Sequence, residues 1–168
     1  MEETFRIMTN YQGQCACGKI QFICTGEPVF TQYCHCNKCR EIASLSQKEQ
    51  DKSGYSCTAA YLTKNFNIVS GENHFKDIVK EKAKLFLCSD CNSLVYGIAL
   101  DPAQQDSIGV NVNNFRFDTS IPNSFKPIRH IWYACRIIDF DDDLPKFKDA
   151  PKEQFGSGEL FESLHARR

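Results

Sequence analysis

Seven of the ten cysteines in this 168-residue chain fall into three short clusters: Cys15-Ala16-Cys17, Cys34-His35-Cys36-Asn37-Lys38-Cys39 and Cys88-Ser89-Asp90-Cys91. Cys24, Cys57 and Cys135 stand alone. Two thiols one or two residues apart can reach one ion from a tight turn. A tetrahedral ion needs four donors, so a second pair must arrive from elsewhere in the chain. A fold that carries these clusters must therefore bring distant segments together.

The setting decides what cysteine means. The chain opens Met1-Glu2-Glu3-Thr4-Phe5-Arg6, with no basic stretch leading into an apolar one, so no signal peptide is expected. Its apolar runs, such as Ile20-Gln21-Phe22-Ile23 and Leu85-Phe86-Leu87, have strand length and fall far short of the roughly 20 residues of a membrane helix. The expected location is intracellular and cytoplasmic, where disulfides are rare and cysteine clusters bind metal. A chain of this length buries about 70% of its unfolded surface and needs no covalent staples. Lys plus Arg is 20 and Asp plus Glu is 21, which argues against non-specific nucleic-acid binding.

Cys15/Cys17 and Cys88/Cys91 supply two pairs for one closed four-thiolate zinc site, the structural kind. Cys34, Cys36 and Cys39 remain as three thiolates on one segment, which is the catalytic arrangement with an open fourth position. That position could take water or a substrate thiol, and a zinc-bound thiol is deprotonated outright. Spacing alone also allows a closed second site, with Cys57 as the obvious fourth ligand. Otherwise Cys57, Cys24 and Cys135 read as core thiols. His35 lies between two ligands and reads as a positioning residue, because neighbours on a turn point apart.

The segments between the clusters are mostly β. Polar–apolar alternation predicts strands over 19–24, 29–33, 55–62, 67–70, 85–88, 94–100, 108–112 and 128–138, with turns at Thr25-Gly26-Glu27-Pro28 and Gly71-Glu72-Asn73. Residues 74–84 are ambiguous, because Phe75, Ile78, Val79 and Lys82 also fit one helical face. Ser44–Gly54 reads as a long polar loop and Trp132 as core. Asp139–Asp143 reads as a solvated strand end. The domain is expected over 10–148, with 149–168 a peripheral or disordered tail.

With these motifs in view, the chain resembles the family of glutathione-dependent formaldehyde-activating enzymes and centromere protein V. The resemblance rests on Gly13-Gln14-Cys15-Ala16-Cys17-Gly18, on Cys34 to Arg40, and on Phe86 to Cys91. The segments His130-Ile131-Trp132 and Asp142-Asp143-Leu144-Pro145-Lys146-Phe147 agree with it. It implies a mainly β, Mss4-like zinc-binding fold with little helix and two zincs per chain. Cys15, Cys17, Cys88 and Cys91 would hold the structural ion, and Cys34, Cys36 and Cys39 the catalytic one. It further implies a carbon–sulfur lyase-type reaction joining formaldehyde to a small thiol such as glutathione. The branch named for a centromere protein keeps a second reading open, a non-catalytic zinc-stabilised protein-binding module. Arg40, Lys126, Arg129 and His130 are candidates for a ligand's carboxylates, Arg40 first because it follows Cys39; His35 is the other candidate contact. The family continues with glycine after its last cysteine, where this chain has Asn92, a residue that tolerates left-handed backbone.

Overall fold

The computed structural model describes residues 7–80 and 82–161. The strands are short and alternate inward apolar with outward polar side chains, the pattern of sheets covered on one face. Strands β1 (Asn10–Gln14), β2 (Gln21–Thr25) and β5 (Phe66–Ser70) form a three-stranded antiparallel sheet in the order β1-β2-β5. A seven-stranded sheet takes β3 (Phe30–Cys34), β4 (Ser56–Leu62), β6 (Phe75–Lys80), β7 (Ala83–Cys88), β8 (Leu94–Ala99), β9 (Ser107–Asn111) and β10 (His130–Ile131). Its order is β10-β3-β4-β9-β8-β7-β6. Only β10 pairs in parallel, setting His130 opposite Tyr33 and Ile131 opposite Cys34. The fold is therefore mainly β, with one α-helix among the described residues, α1 (Asn37–Leu45).

The core draws on both sheets. Ile20, Phe22 and Cys24 meet Ala59, Tyr61, Val95, Ile108 and Val110, all buried, together with Phe115 and Phe125. Phe22 stands edge-on to Phe115 and tilted against Phe66, each at 5.4 Å between centroids. The one buried phenol here, Tyr61, donates to the Gly26 carbonyl at 3.1 Å. Gly13 sits opposite Phe22 in the β1–β2 register, and a Cβ added there would lie 2.2 Å from the Phe22 ring. The ring is hemmed in by two others and cannot swing away. Gly13→Ala should therefore cost about 1–3 kcal/mol through overpacking. A thermal melt unchanged from wild type would show that the ring has room to move.

Several expectations are corrected by the structure. Residues 37–45 form a helix that the alternation pattern does not signal. The ambiguity over 74–84 resolves toward strand: Phe75–Lys80 pairs with Ala83–Cys88, Phe75 opposite Cys88 and Lys80 opposite Ala83. Over 128–138 only His130–Ile131 is strand. Trp132 then takes φ +55° and turns the chain into a 3-10 turn at Tyr133–Cys135. Trp132 is 42% exposed and does not belong to the core. The polar segment 44–54 is not an open loop, since a 3-10 turn at Glu49–Ser53 buries Asp51. Apart from these corrections, residues 149–161 of the expected peripheral tail lie along the domain. Phe161 donates its N–H to the Lys146 carbonyl and stacks edge-on to Tyr133. Residues 162–168 fall outside the described residues, as do Met1–Arg6.

Candidate metal centres

The first centre is built from two turns. Between β1 and β2 the chain folds tightly: the Ile20 N–H donates to the Cys15 sulfur at 3.3 Å, and Gly18 N–H donates to the Cys15 carbonyl. Between β7 and β8 the Asn92 N–H donates to the Cys88 carbonyl, and Asn92 takes φ +58°, the left-handed backbone its side chain tolerates. The Ser93 hydroxyl joins the turns. It accepts from Ala16 N–H at 3.1 Å and lies 3.1 Å from the Cys91 sulfur. The sulfurs of Cys15, Cys17, Cys88 and Cys91 all lie within 4.8 Å of one another, 3.6 Å for Cys15–Cys17 and 3.7 Å for Cys17–Cys88. Tetrahedral zinc with bonds of about 2.3 Å requires sulfurs about 3.8 Å apart. The donors and their spacing therefore fit zinc. Burial pushes the Cys91 thiol up, but the Ser93 hydroxyl and backbone N–H outweigh it and hold it at about 6.

The second centre occupies one segment. Cys34 ends β3, Cys36 caps the N-terminus of α1, and Cys39 lies in its first turn. The three sulfurs again lie within 4.8 Å of one another, with Cys39–Cys34 at 3.6 Å, so this set also fits a zinc ion's spacing. Cys34 is buried and the other two are half-buried. Hydrogen bonds from the Cys34 and Cys39 thiols, then from the Cys39 and Lys38 N–H groups, hold Cys36 at about 3, so the cluster is built to stabilise a thiolate. The Cys39 N–H reaches the Cys36 sulfur at 3.4 Å. Among the described residues no fourth Cys, His, Asp or Glu joins this set. Register explains why Cys57 stays out. Cys57 pairs with Tyr33, whereas Ser56 pairs with Cys34, and alternation sends Cys57 to the opposite face. Ser56, opposite Cys34, takes the cluster's face instead.

His35 turns away from its neighbours into an aromatic nest. It is fully buried, as is His130, and Tyr133 and Phe140 stand edge-on to both rings. His35 Nε2 lies 2.9 Å from His130 Nδ1, and His130 Nε2 lies 2.9 Å from the Asp142 carboxylate. Lys146 Nζ closes the chain on Asp142 at 2.7 Å. Burial, followed by the nearby His130 and Arg136, lowers His35 to about 4, and burial also lowers His130, so both rings are neutral. Nothing local in the sequence marks His130 and Asp142 as partners of His35. Both lie in segments that the family resemblance picks out, which is the one signal that points to them.

The other cationic candidates separate. Arg129 is 9% exposed and engaged by Gln32 at 2.9 Å and Glu153 at 3.0 Å, so it is structural. His130 is sealed off from any carboxylate ligand. Lys126 is exposed. Arg40 is half-buried, with one guanidinium arm on the Asn37 side-chain oxygen. No helix among the described residues is long and apolar enough to cross a membrane.

A family model described as glutathione-dependent formaldehyde-activating enzyme matches residues 10–135, well over half of the chain. No protein in the curated set matches. Among solved structures, the chain is similar to a crystal structure of a Rhodobacter sphaeroides protein, a structural-genomics target. The identity is 16% and the TM-score 0.49, covering 71% of this chain and 98% of that one.

Proposed function

The chain belongs to the glutathione-dependent formaldehyde-activating enzyme family, and on that footing we propose that it is a zinc-dependent enzyme of carbon–sulfur lyase type. It would join formaldehyde to a small thiol such as glutathione, and run the reverse cleavage. The unit that carries this reading is residues 10–148, with 149–161 as a peripheral strap. The observation that supports it best is the three-cysteine set on one segment, with the fourth corner left open among the described residues.

Cys15, Cys17, Cys88 and Cys91 would hold a structural zinc. Cys34, Cys36 and Cys39 would hold a second one. Zinc at the second cluster would supply a position where an incoming thiol is held as thiolate near neutral pH. The chain's own residues set up that position. The N-terminus of α1 and the Cys39 N–H favour negative charge at Cys36. Ser56 stands on the cluster's face of the neighbouring strand, opposite Cys34. Lys38 and Arg40 flank the cluster and offset its negative charge. His35 leaves the ligand face, because its ring is held by His130.

Zinc-loaded protein added to glutathione and formaldehyde should speed exchange between free aldehyde and thiol adduct, followed by NMR, at least tenfold over buffer. Cys36→Ser should bring the rate back to buffer while the first cluster keeps its metal. A wild-type rate equal to buffer would move the assignment to a zinc-stabilised binding module.

A further inference from the structure

The four sulfurs of the first centre are not equivalent. Cys15, Cys88 and Cys91 are at most 1% exposed, whereas Cys17 is open to solvent. The Cys15 sulfur is held by the Ile20 N–H, and the Cys91 sulfur faces the Ser93 hydroxyl. Among the described residues the Cys17 sulfur has only sulfurs for partners, Cys15 at 3.6 Å and Cys88 at 3.7 Å. Cys17 is also the most open of the seven clustered cysteines, since Cys34 is buried and Cys36 and Cys39 are half-buried.

A thiol that ligates zinc is a thiolate outright, so Cys17 turns a nucleophilic sulfur toward water. Cysteine oxidation follows thiolate character and exposure, and it is reversible where a second cysteine stands ready to close a disulfide. Two sulfurs are near enough to do so. Cys15 is one residue removed, in a turn fixed by the Gly18 N–H on the Cys15 carbonyl and the Ile20 N–H on the Cys15 sulfur. A bond from Cys15 to Cys17 would distort that turn from within. Cys88 belongs to the other turn. Its sulfur closes from 3.7 Å to the roughly 2.0 Å of a disulfide by bringing two separate turns together.

We propose that Cys17 and Cys88 form a peroxide-responsive redox pair, in which Cys17 takes the oxidant and Cys88 resolves it. The Cys17 thiolate attacks one oxygen of hydrogen peroxide, the O–O bond breaks and hydroxide leaves, so Cys17 becomes a sulfenic acid. The Cys88 thiolate then attacks the Cys17 sulfur, forming the S–S bond and expelling a second hydroxide. Two thiolates lose two electrons in all, and one peroxide gains them. The centre is left with two of its four sulfurs, too few for a structural zinc. The new bond spans the same 71 positions as the lost pair of ligands, so the β1–β2 turn stays tied to the β7–β8 turn. A metal clamp is thus exchanged for a covalent one, and a thiol reductant with zinc reverses the exchange. This pair is independent of the carbon–sulfur lyase reading, which uses the other cluster.

The test uses the full chain loaded with zinc and a few equivalents of hydrogen peroxide. Zinc release is followed with a chromogenic chelator, and disulfides are mapped by mass spectrometry after alkylation. One zinc per chain should leave at least about tenfold faster than without peroxide, in step with a peptide cross-linked through Cys17 and Cys88. Dithiothreitol with zinc should then restore the starting metal content. Cys36→Ser, which disables the second cluster, should give the same cross-link and lose the zinc of the first centre. Oxidation confined to Cys34, Cys36 and Cys39, with the four-cysteine centre keeping its metal, would overturn the pair. So would zinc release with Cys15 linked to Cys17, or with Cys17 oxidised and no link to Cys88. None of these readouts is turnover, so an inactive wild type would overturn the lyase reading and leave this result untouched.

Discussion

Cys88→Ser should lose the cooperative thermal transition and both its zincs, whereas Cys39→Ser should lose one zinc and still melt as a folded domain. The difference lies in what each cluster ties together. Cys88 sits across 71 residues from Cys17, and its cluster clamps the β1–β2 turn to the β7–β8 turn. That clamp sets the three-stranded sheet, with Phe22 and Cys24, against the core residues of the larger sheet. Structural zinc in small domains contributes about 10–16 kcal/mol of apparent binding energy. The whole stability of a domain is about 5–15 kcal/mol. Removing a ligand that is wholly buried therefore removes a term as large as the total. The second cluster closes a loop of only six residues, Cys34 to Cys39, between a strand and a helix that have other contacts. Metal content by mass spectrometry, together with circular-dichroism melts, reads both variants. If the two substitutions unfold the protein equally, the division into a structural and an open centre is wrong.

The cysteine clusters were legible because metal donors must be close in sequence to share a turn, and the strands because alternation has a period of two. What stayed hidden depends on long-range or atypical chemistry. Helix α1 starts on a cysteine cap, not on Ser, Thr, Asp or Asn, and buries only Ile42 fully. It offers neither the usual start signal nor a clear apolar stripe. The Asp142–His130–His35 chain joins residues 12 and 95 positions apart. It depends on a two-residue parallel pairing that no local pattern announces. Trp132 turns the chain with left-handed backbone, a conformation that nothing in a tryptophan signals. The polar segment 44–54 looked like loop because its burial is met by asparagines on and beyond a distant strand.

That last segment carries the other large expected effect. Asp51→Ala should lower stability by about 3 kcal/mol, since it leaves three donors unmet at about 1 kcal/mol or more each. Asp51 is 4% exposed and accepts from the Ser46 hydroxyl at 2.6 Å, from Asn111 at 3.2 Å and from Asn113 at 2.9 Å. In a domain of this size that loss is a melting shift of about 6–12 °C. Asp51→Asn should recover most of it. Its remaining oxygen can still take both asparagine donors, while the Ser46 hydroxyl turns to accept from the new amide. The effect should reach the second metal cluster as well. Ser46 is the C-terminal cap of α1, its N–H donates to the Ala43 carbonyl, and the next N–H, of Gln47, donates to the Cys91 carbonyl at 3.0 Å. Asp51 thus pins the far end of the helix whose first turn carries Cys39, next to the turn of the first cluster. Alanine at 51 should weaken zinc retention by Cys34, Cys36 and Cys39 in a chelator competition before it weakens the four-cysteine centre. A melt within about 2 °C of wild type would show that the 44–54 segment is held by something other than this carboxylate. Equal zinc loss from both centres would show that α1 does not carry the effect to the second cluster.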